Sequence, residues 1–131
     1  MSPVRVIVTG PVPPAAAPGR SLYLIRYEIA PGTRLPAHYH EGTQIGLVEA
    51  GTLTYHVLAG RVPVYRAGGD GKPEFVREIK EGEQAALVTG EWLVEAEDVR
   101  HWGANLGSEP LLIYTSALLR QGAPLATLLP P

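Results

Sequence analysis

The chain reads Pro31-Gly-Thr-Arg-Leu-Pro-Ala-His-Tyr-His-Glu-Gly-Thr-Gln44 at the place where two of its four histidines lie, His38 and His40. Side chains at positions i and i+2 of an extended segment point to the same face, about 7 Å apart along the strand, whereas a helix would splay them apart. Neutral imidazole is the commonest protein ligand of divalent transition metals. The pair therefore predicts half of a metal site, which needs one or two further ligands from elsewhere in the chain.

The length and composition favour a single β-rich domain. A chain of 131 residues can build one core of its own and is too short for two domains of ordinary size. Its 15 glycines and 13 prolines separate short runs rich in Val, Ile, Leu, Thr and Tyr, a pattern typical of many short strands. We therefore expect one all-β domain over residues 1–131, with a barrel core at about 21–119, an N-terminal strand and connector at 1–20, and an apolar C-terminal tail at 120–131.

The strands can be placed from the turn residues between them. Segment 10–19 is expected to be an extended connector, because its prolines cannot join a ladder. The tail is expected to pack on the barrel wall or on a neighbouring molecule, since its leucines would otherwise stay in water. Strands at this spacing indicate a jelly roll. The predicted strands are residues 4–9, 21–29, 43–49, 52–58, 61–65, 74–79, 84–88, 92–96 and 111–118.

Charge and cysteine content exclude several classes of partner and site. The net charge is −2 and no cluster of Lys or Arg occurs, so the chain lacks the electrostatic footprint of a nucleic-acid or anionic-membrane binder. With no cysteine there is no disulfide framework and no thiolate ligand, so any metal must be held by nitrogen and oxygen. The sequence also lacks a signal-like segment and an apolar run long enough to span a bilayer, which predicts a cytoplasmic protein.

The histidine pair lies inside a longer spaced motif. Gly32 is followed after five residues by His38-x-His40, after three more by Gln44, and after six more by Gly51.

A second motif contains a third histidine. Gly90 is followed after five residues by Ala96, then by Asp98, His101 and, three residues later, Asn105. Together the two motifs resemble those of the cupin superfamily, small jelly-roll barrels (double-stranded β-helices) whose two signature motifs carry metal ligands. The first motif has Gln where the family has Glu, and the second has Ala for Pro and Asp for Gly. The resemblance extends over about 100 residues, since strands before, between and after the motifs fit the barrel.

The resemblance implies a metal site and a range of chemistries. His38, His40 and His101 would be the ligands with Gln44 as the fourth, around one divalent transition metal: Zn, Fe, Mn, Ni or Co. Cupin activities include dioxygenases, decarboxylases, isomerases, lyases and cyclases, and the fold does not choose among them.

Gln44 has two interpretations. As a direct ligand, its neutral carbonyl oxygen would leave the ion with its full charge and make it more electrophilic than a carboxylate would. Alternatively, Gln44 does not touch the ion and hydrogen-bonds one of the histidines.

Other residues are candidates for the pocket. Gly46 lies two positions after Gln44 on the same face, where a missing side chain leaves room near the metal or allows close strand packing. Tyr55 and Tyr114 are candidate pocket residues and proton-transfer groups. The remaining histidine, His56, is interpreted as a surface or core residue. Carboxylates at the motif edges are interpreted as solvated turn residues: Glu41, Glu95, Glu97 and Asp98.

Two functions are weighed, with a metal-free structural barrel as a weaker third. The first is a small metal-dependent enzyme acting on a small oxygen-rich organic molecule, with the ion as Lewis acid or oxygen site. The second is a binding or sensor module that captures a small molecule or a metal without turnover. In either case we expect a small-molecule partner and a homodimer, with strand 4–9 and the apolar tail exchanging or packing across a two-fold axis.

Overall fold

A computed structural model of the chain describes residues 2–130, which form two antiparallel β-sheets without any helix among them. These residues accordingly offer no helix capable of crossing a membrane. The strands are β1 (Val4–Val12), β2 (Arg20–Ile29), β3 (His38–Tyr39), β4 (Gly42–Ala50), β5 (Leu53–Ala59), β6 (Val62–Ala67), β7 (Pro73–Ile79), β8 (Gln84–Leu87), β9 (Trp92–Glu95), β10 (Arg100–Ala104), β11 (Leu111–Arg120) and β12 (Thr127–Leu128).

The two sheets have crossing connections. The larger sheet has seven strands in the order β1-β2-β11-β4-β9-β6-β7, and the smaller has five in the order β12-β3-β10-β5-β8. Successive strands along the chain repeatedly change sheets, as β4, β5 and β6 do, and most neighbours within a sheet are not consecutive in sequence. This is jelly-roll topology, so the predicted all-β jelly-roll class is confirmed.

The core lies between the two sheets. Along β5 the side chains of Leu53, Tyr55 and Val57 are buried, and the alternate residues are less so, as the period of a strand requires. Each fully buried aliphatic side chain stabilises the fold by about 1.5–3 kcal/mol. The main buried cluster also contains Ile29, Val48, Val62, Val64, Ile79, Leu87, Leu93, Val99 and Leu111.

Strand β1 extends beyond its predicted end. Val12 pairs with Leu22, so the expectation that the prolines end the ladder at residue 9 is wrong. Pro11 lies in the register shift between Thr9 and Val12, where a missing N–H is tolerated. Gly10 has a φ of 116°, and a Cβ atom there would lie 2.7 Å from the backbone oxygen of Leu22. Only glycine allows the two strands to approach so closely at this point.

Three strands at the candidate site, β3, β10 and β12, are missing from the predicted list of strands. β10 contains His101 and pairs with β3 and β5. β12 lies in the tail, where Thr127 pairs with Tyr39 and Leu128 pairs with His38. The tail therefore packs against the wall of its own molecule, one of the two expectations for it.

Candidate metal centre

Three histidines converge on the inner side of the smaller sheet. His38 and His101 are directly opposite each other in the β3–β10 pair, and His40 follows β3 on the same face. Ligand nitrogens of the three rings all lie within 4.8 Å of one another. His40 and His101 are buried and His38 is half-buried. The structure thus brings together the three histidines that the two motifs single out.

Backbone carbonyls hold two of the rings in a metal-ready tautomer. Nδ1 of His38 donates to the oxygen of Pro36 at 2.7 Å, and Nδ1 of His40 donates to the oxygen of Leu125 at 2.6 Å. A carbonyl oxygen only accepts, so Nδ1 carries the proton and the lone pair is on Nε2. Such second hydrogen bonds orient metal-ligating histidines and raise their basicity.

Burial favours the neutral form of these rings. Desolvation lowers the pKa of His38 to about 4, with the nearby His101 ring as the next cause. Desolvation also lowers the pKa of His40 and outweighs the opposing effect of Glu95. Neutral imidazole with a free lone pair is the form that binds a metal, so the chemistry of these donors fits a divalent transition ion.

Gln44 lies beside the histidines, with its amide nitrogen toward them. Its Nε2 atom is 3.1 Å from Nε2 of His40 and donates to Oε1 of Glu95 at 2.6 Å. The Gln44 oxygen is buried and has no hydrogen-bond partner within the described chain. Because an amide nitrogen has no lone pair for a metal, this arrangement supports the interpretation in which Gln44 orients its neighbours.

Glu95 is the site residue that sequence reasoning missed. It was assigned to a solvated turn, and that is wrong, because its side chain is only 5% exposed and faces inward from β9. Its carboxylate accepts hydrogen bonds from Tyr55 Oη at 2.5 Å, from Gln44, and from Nε2 of His101 at 2.8 Å. The available signal was the strand period, which puts position 95 on the same face as Leu93.

The neighbours of Glu95 keep its carboxyl group ionised. Burial by itself raises the pKa, but the His101 and His40 rings and the hydrogen bonds from His101 and Tyr55 outweigh that effect and hold the pKa well below its ordinary value. Burial and the same carboxylate raise the pKa of the Tyr55 hydroxyl far above its usual range. The centre therefore contains one anion and a phenol that stays protonated.

The three histidines line a cavity of about 210 Å³ between the sheets. Gly46 and Tyr55 line it. A Cβ atom at Gly46 would meet only side chains, at 3.5–3.8 Å, so this glycine leaves room in the cavity and is not required by backbone packing. Away from the polar groups the wall is largely apolar: Leu35, Pro36, Leu53, Leu93, Ile113, Ala126 and Leu128.

Tyr114 does not line the cavity, which corrects the prediction for this residue. Its neighbour on β11, Thr115, is buried and faces the cavity, so Tyr114 points to the outer face, where it is 37% exposed. There its ring lies 5.9 Å from the guanidinium carbon of Arg26.

The fourth histidine lies outside the cluster, as expected. The ring of His56 stacks on Trp102 with centroids 5.2 Å apart, and neither residue lines the cavity.

Comparison with known proteins identifies the fold. No protein-family model matches the sequence, and no curated protein matches it. Among solved structures, an oxalate oxidase in complex with the substrate analogue glycolate matches with a TM-score of 0.55 and 21% identity, over 85% of this chain and 46% of its own. A cupin 2 domain-containing protein from Halorhodospira halophila matches at 0.57 and 14% identity, over 90% and 65%. A cupin-like protein from Thermotoga maritima matches at 0.52 and 21% identity, over 96% and 74%.

These similarities concern the fold, and the chain spans 46% of the oxalate oxidase chain. The molecule is a small two-sheet β-protein with a histidine cluster between its sheets. The chain has the same fold as the cupin proteins among these solved structures, which is the fold that its two motifs imply.

Proposed function

We propose that this cupin binds one divalent transition metal, Zn, Fe, Mn, Ni or Co, through His38, His40 and His101, and that the loaded protein is a small metal-dependent enzyme. The observation that carries the proposal is the convergence of three imidazoles whose ligand nitrogens lie within 4.8 Å of one another. The Nδ1 hydrogen bonds of His38 and His40 further support it, because they fix the proton on Nδ1 and leave the lone pair on Nε2, the atom that would bind an ion.

The chain's own residues orient and shield whatever binds beside the ion. A bound divalent metal would act as a Lewis acid for isomerase, lyase or cyclase chemistry, or as the oxygen site of a dioxygenase. Tyr55 holds its proton toward Glu95, and the apolar wall of the cavity excludes water from the histidines.

The cavity supports a small substrate with one polar end. Its volume of about 210 Å³ is below the roughly 300–1,000 Å³ typical of sites for drug-sized ligands. Oxygen atoms of the substrate would face the histidines, while leucine and isoleucine side chains surround the remainder. An apolar body with an oxygen-bearing end fits this lining better than a molecule that is oxygen-rich throughout.

Metal analysis tests the centre. The purified protein, titrated with Co²⁺ and Zn²⁺ after chelation, should bind about one equivalent. His101→Ala should abolish this binding, while His56→Ala, which changes a histidine outside the cluster, should leave it intact. Failure of the unmodified protein to take up either ion, or equal loss in both variants, would refute the metal centre.

The chemistry is tested by a substrate screen of the loaded protein. Oxygen consumption and product formation should be followed with β-diketones, flavonols and catechols, which offer two oxygens to one ion and an apolar remainder. Turnover that disappears in His101→Ala and survives in His56→Ala would support the enzyme.

A non-catalytic small-molecule or metal sensor is the second candidate, and one observation favours it. The pKa of Glu95 is lowered and that of Tyr55 is raised, so neither group readily exchanges a proton near neutral pH. Tight binding of a screened compound without turnover would favour the sensor.

We also propose that the protein forms a homodimer. Leu22, Leu24 and Ile45 lie 40–51% exposed on the outer face of the larger sheet, opposite the buried Ile25. Exposed apolar side chains on one face of a sheet support association with a second copy. The tail is paired with β3 of its own chain. The proposed dimer interface therefore consists of β1 and the outer face of the larger sheet, and does not include the tail. Sedimentation should give a dimer that Leu24→Glu converts to a monomer; a monomeric unmodified protein would refute it.

A further inference from the structure

Glu95 is a carboxylate in the protein interior, with a side chain only 5% exposed, which needs a physical reason. Charged carboxylates are almost never fully buried unless they are paired or bind a metal, because desolvation is costly. All the hydrogen bonds that Glu95 accepts come from residues around the histidine cluster: Gln44, Tyr55 and His101. Glu95 therefore belongs to the centre and is not a separate structural ion pair.

Its two oxygens lie next to candidate ligand nitrogens, and a bound ion would replace the proton that Nε2 of His101 donates to Glu95. Oε2 is 2.8 Å from Nε2 of His101, and Oε1 is 3.7 Å from Nε2 of His40. Two ligands that bind the same ion at about 2.0–2.2 Å lie roughly 2.8–3.6 Å apart, the shorter separations in octahedral and the longer in tetrahedral geometry. The observed distances lie close to the two ends of this range, so small side-chain shifts suffice for a shared ion.

We propose that Glu95 is the anionic ligand of the metal centre, in place of the carboxylate that the first cupin motif has at position 44, and that Gln44 is its positioning residue. This inference rests on the proposed metal centre. Positions 44 and 95 are directly paired across β4 and β9, so a carboxylate at either position reaches the same space.

The pairing also explains why residue 44 is an amide. Nε2 of Gln44 donates to Oε1 of Glu95 at 2.6 Å. A glutamate at position 44 would bring two carboxylates into contact in a buried space, where like charges repel strongly. A carboxylate at position 95 therefore calls for a neutral hydrogen-bond donor at position 44.

A Glu95 ligand gives the metal centre a different charge from the one expected from Gln44 in the sequence. With Gln44 considered alone, the ion would be surrounded by neutral groups and keep its full charge. With Glu95 as a ligand, one unit of that charge is neutralised, as in a cupin whose motif carries glutamate. The carboxylate ligand comes from β9 instead of the facing strand β4, and the set of ligand types, three imidazoles and one carboxylate, is unchanged.

Exchanging the two side chains tests the proposal. The proteins compared are the unmodified chain, Glu95→Gln, the double variant Gln44→Glu/Glu95→Gln, and the control Glu97→Gln, whose carboxylate is exposed on the surface. The measurements are Co²⁺ affinity by competition with a chromophoric chelator and the visible spectrum of the Co²⁺ form, which reports the ligands directly.

Glu95→Gln should weaken Co²⁺ binding by more than about 100-fold, beyond the 10–100-fold typical of a residue that only supports a ligand. The double variant should recover affinity to within about tenfold of the unmodified chain and regain a similar spectrum, because it returns the carboxylate to the facing position. The control should match the unmodified chain.

A Glu95→Gln protein with unchanged affinity and spectrum would overturn the proposal and leave the three-histidine centre standing. So would a weakened Glu95→Gln protein that the double variant fails to restore, since Glu95 would then act only by holding His101. If the unmodified chain binds no Co²⁺, both the metal centre and this inference are refuted. If Glu95→Gln does not fold, the Co²⁺ affinity and spectrum of the double variant test the proposal, because that variant retains an amide–carboxylate pair between the same two strands.

Discussion

Nδ1 of His40 lies 2.6 Å from the backbone oxygen of Leu125, so the C-terminal tail orients a histidine of the first motif from 85 residues away. The same tail adds β12 beside His38, and its Ala126 and Leu128 line the cavity. The tail is thus part of the centre as well as of the wall.

Removing the tail should therefore weaken metal binding. A chain ending at residue 123 loses the acceptor for His40 and one side of the cavity, and its Co²⁺ affinity should fall on the order of 10–100-fold. A chain ending at residue 129 keeps β12 and should bind as the unmodified protein does. Equal affinities, measured by chelator competition, would contradict the role assigned to the tail.

Filling the space above Gly46 should close the cavity without removing the metal site. A buried apolar cavity of about 150 Å³ can bind benzene, and the cavity here is larger. We expect benzene binding, followed by NMR or calorimetry, to weaken at least about tenfold in Gly46→Val, whose added carbons occupy the space beside Leu93. Ile45→Val, on the opposite face of β4, is the control. Co²⁺ stoichiometry should stay the same in both variants, and undiminished benzene binding in Gly46→Val would argue against this cavity as the ligand site.

Asn105 should be a strong determinant of stability. It is fully buried, its Nδ2 donates to the backbone oxygens of Ile29 and Glu109, and its Oδ1 accepts from the backbone N–H of Gly107. Asn105→Ala leaves these backbone groups without partners and should lower the free energy of unfolding by about 2–4 kcal/mol. Denaturant titration measures this, with the exposed Gln121→Ala as control. A loss under about 0.5 kcal/mol would show that water or local rearrangement replaces the bonds.

Alkaline pH should destabilise the fold through Tyr27. Burial, with Glu95 as the second cause, raises the pKa of Tyr27 to about 12. Between the ordinary value near 10 and this value the phenol ionises in the unfolded chain and stays neutral in the folded one, so stability is full below about pH 10 and is lost as the pH rises toward 12.

The loss attributable to Tyr27 should be about 1 kcal/mol between about pH 9 and pH 11. Tyr27→Phe should remove that part of the decrease in the free energy of unfolding, measured by urea titration at the two pH values. Tyr114→Phe, on the outer face, should retain the full decrease. The same decrease in Tyr27→Phe as in the unmodified chain would show that other groups cause it.

The sequence by itself determined the fold class and the three histidines. Alternation of apolar residues between glycine and proline turns is a local signal, and it predicts most of the strands. The spacing of His38, His40 and His101 within two motifs is likewise readable along the chain, because a strand presents every second side chain to the same face.

Only the tertiary structure decided which other residues join the histidines. Glu95 lies in the predicted strand 92–96, but it meets the histidines only because β9 pairs with β4, and Leu125 meets His40 only because the tail folds back and β12 pairs with β3. These contacts depend on strand pairing between residues far apart in the chain, and local sequence pattern does not encode that register.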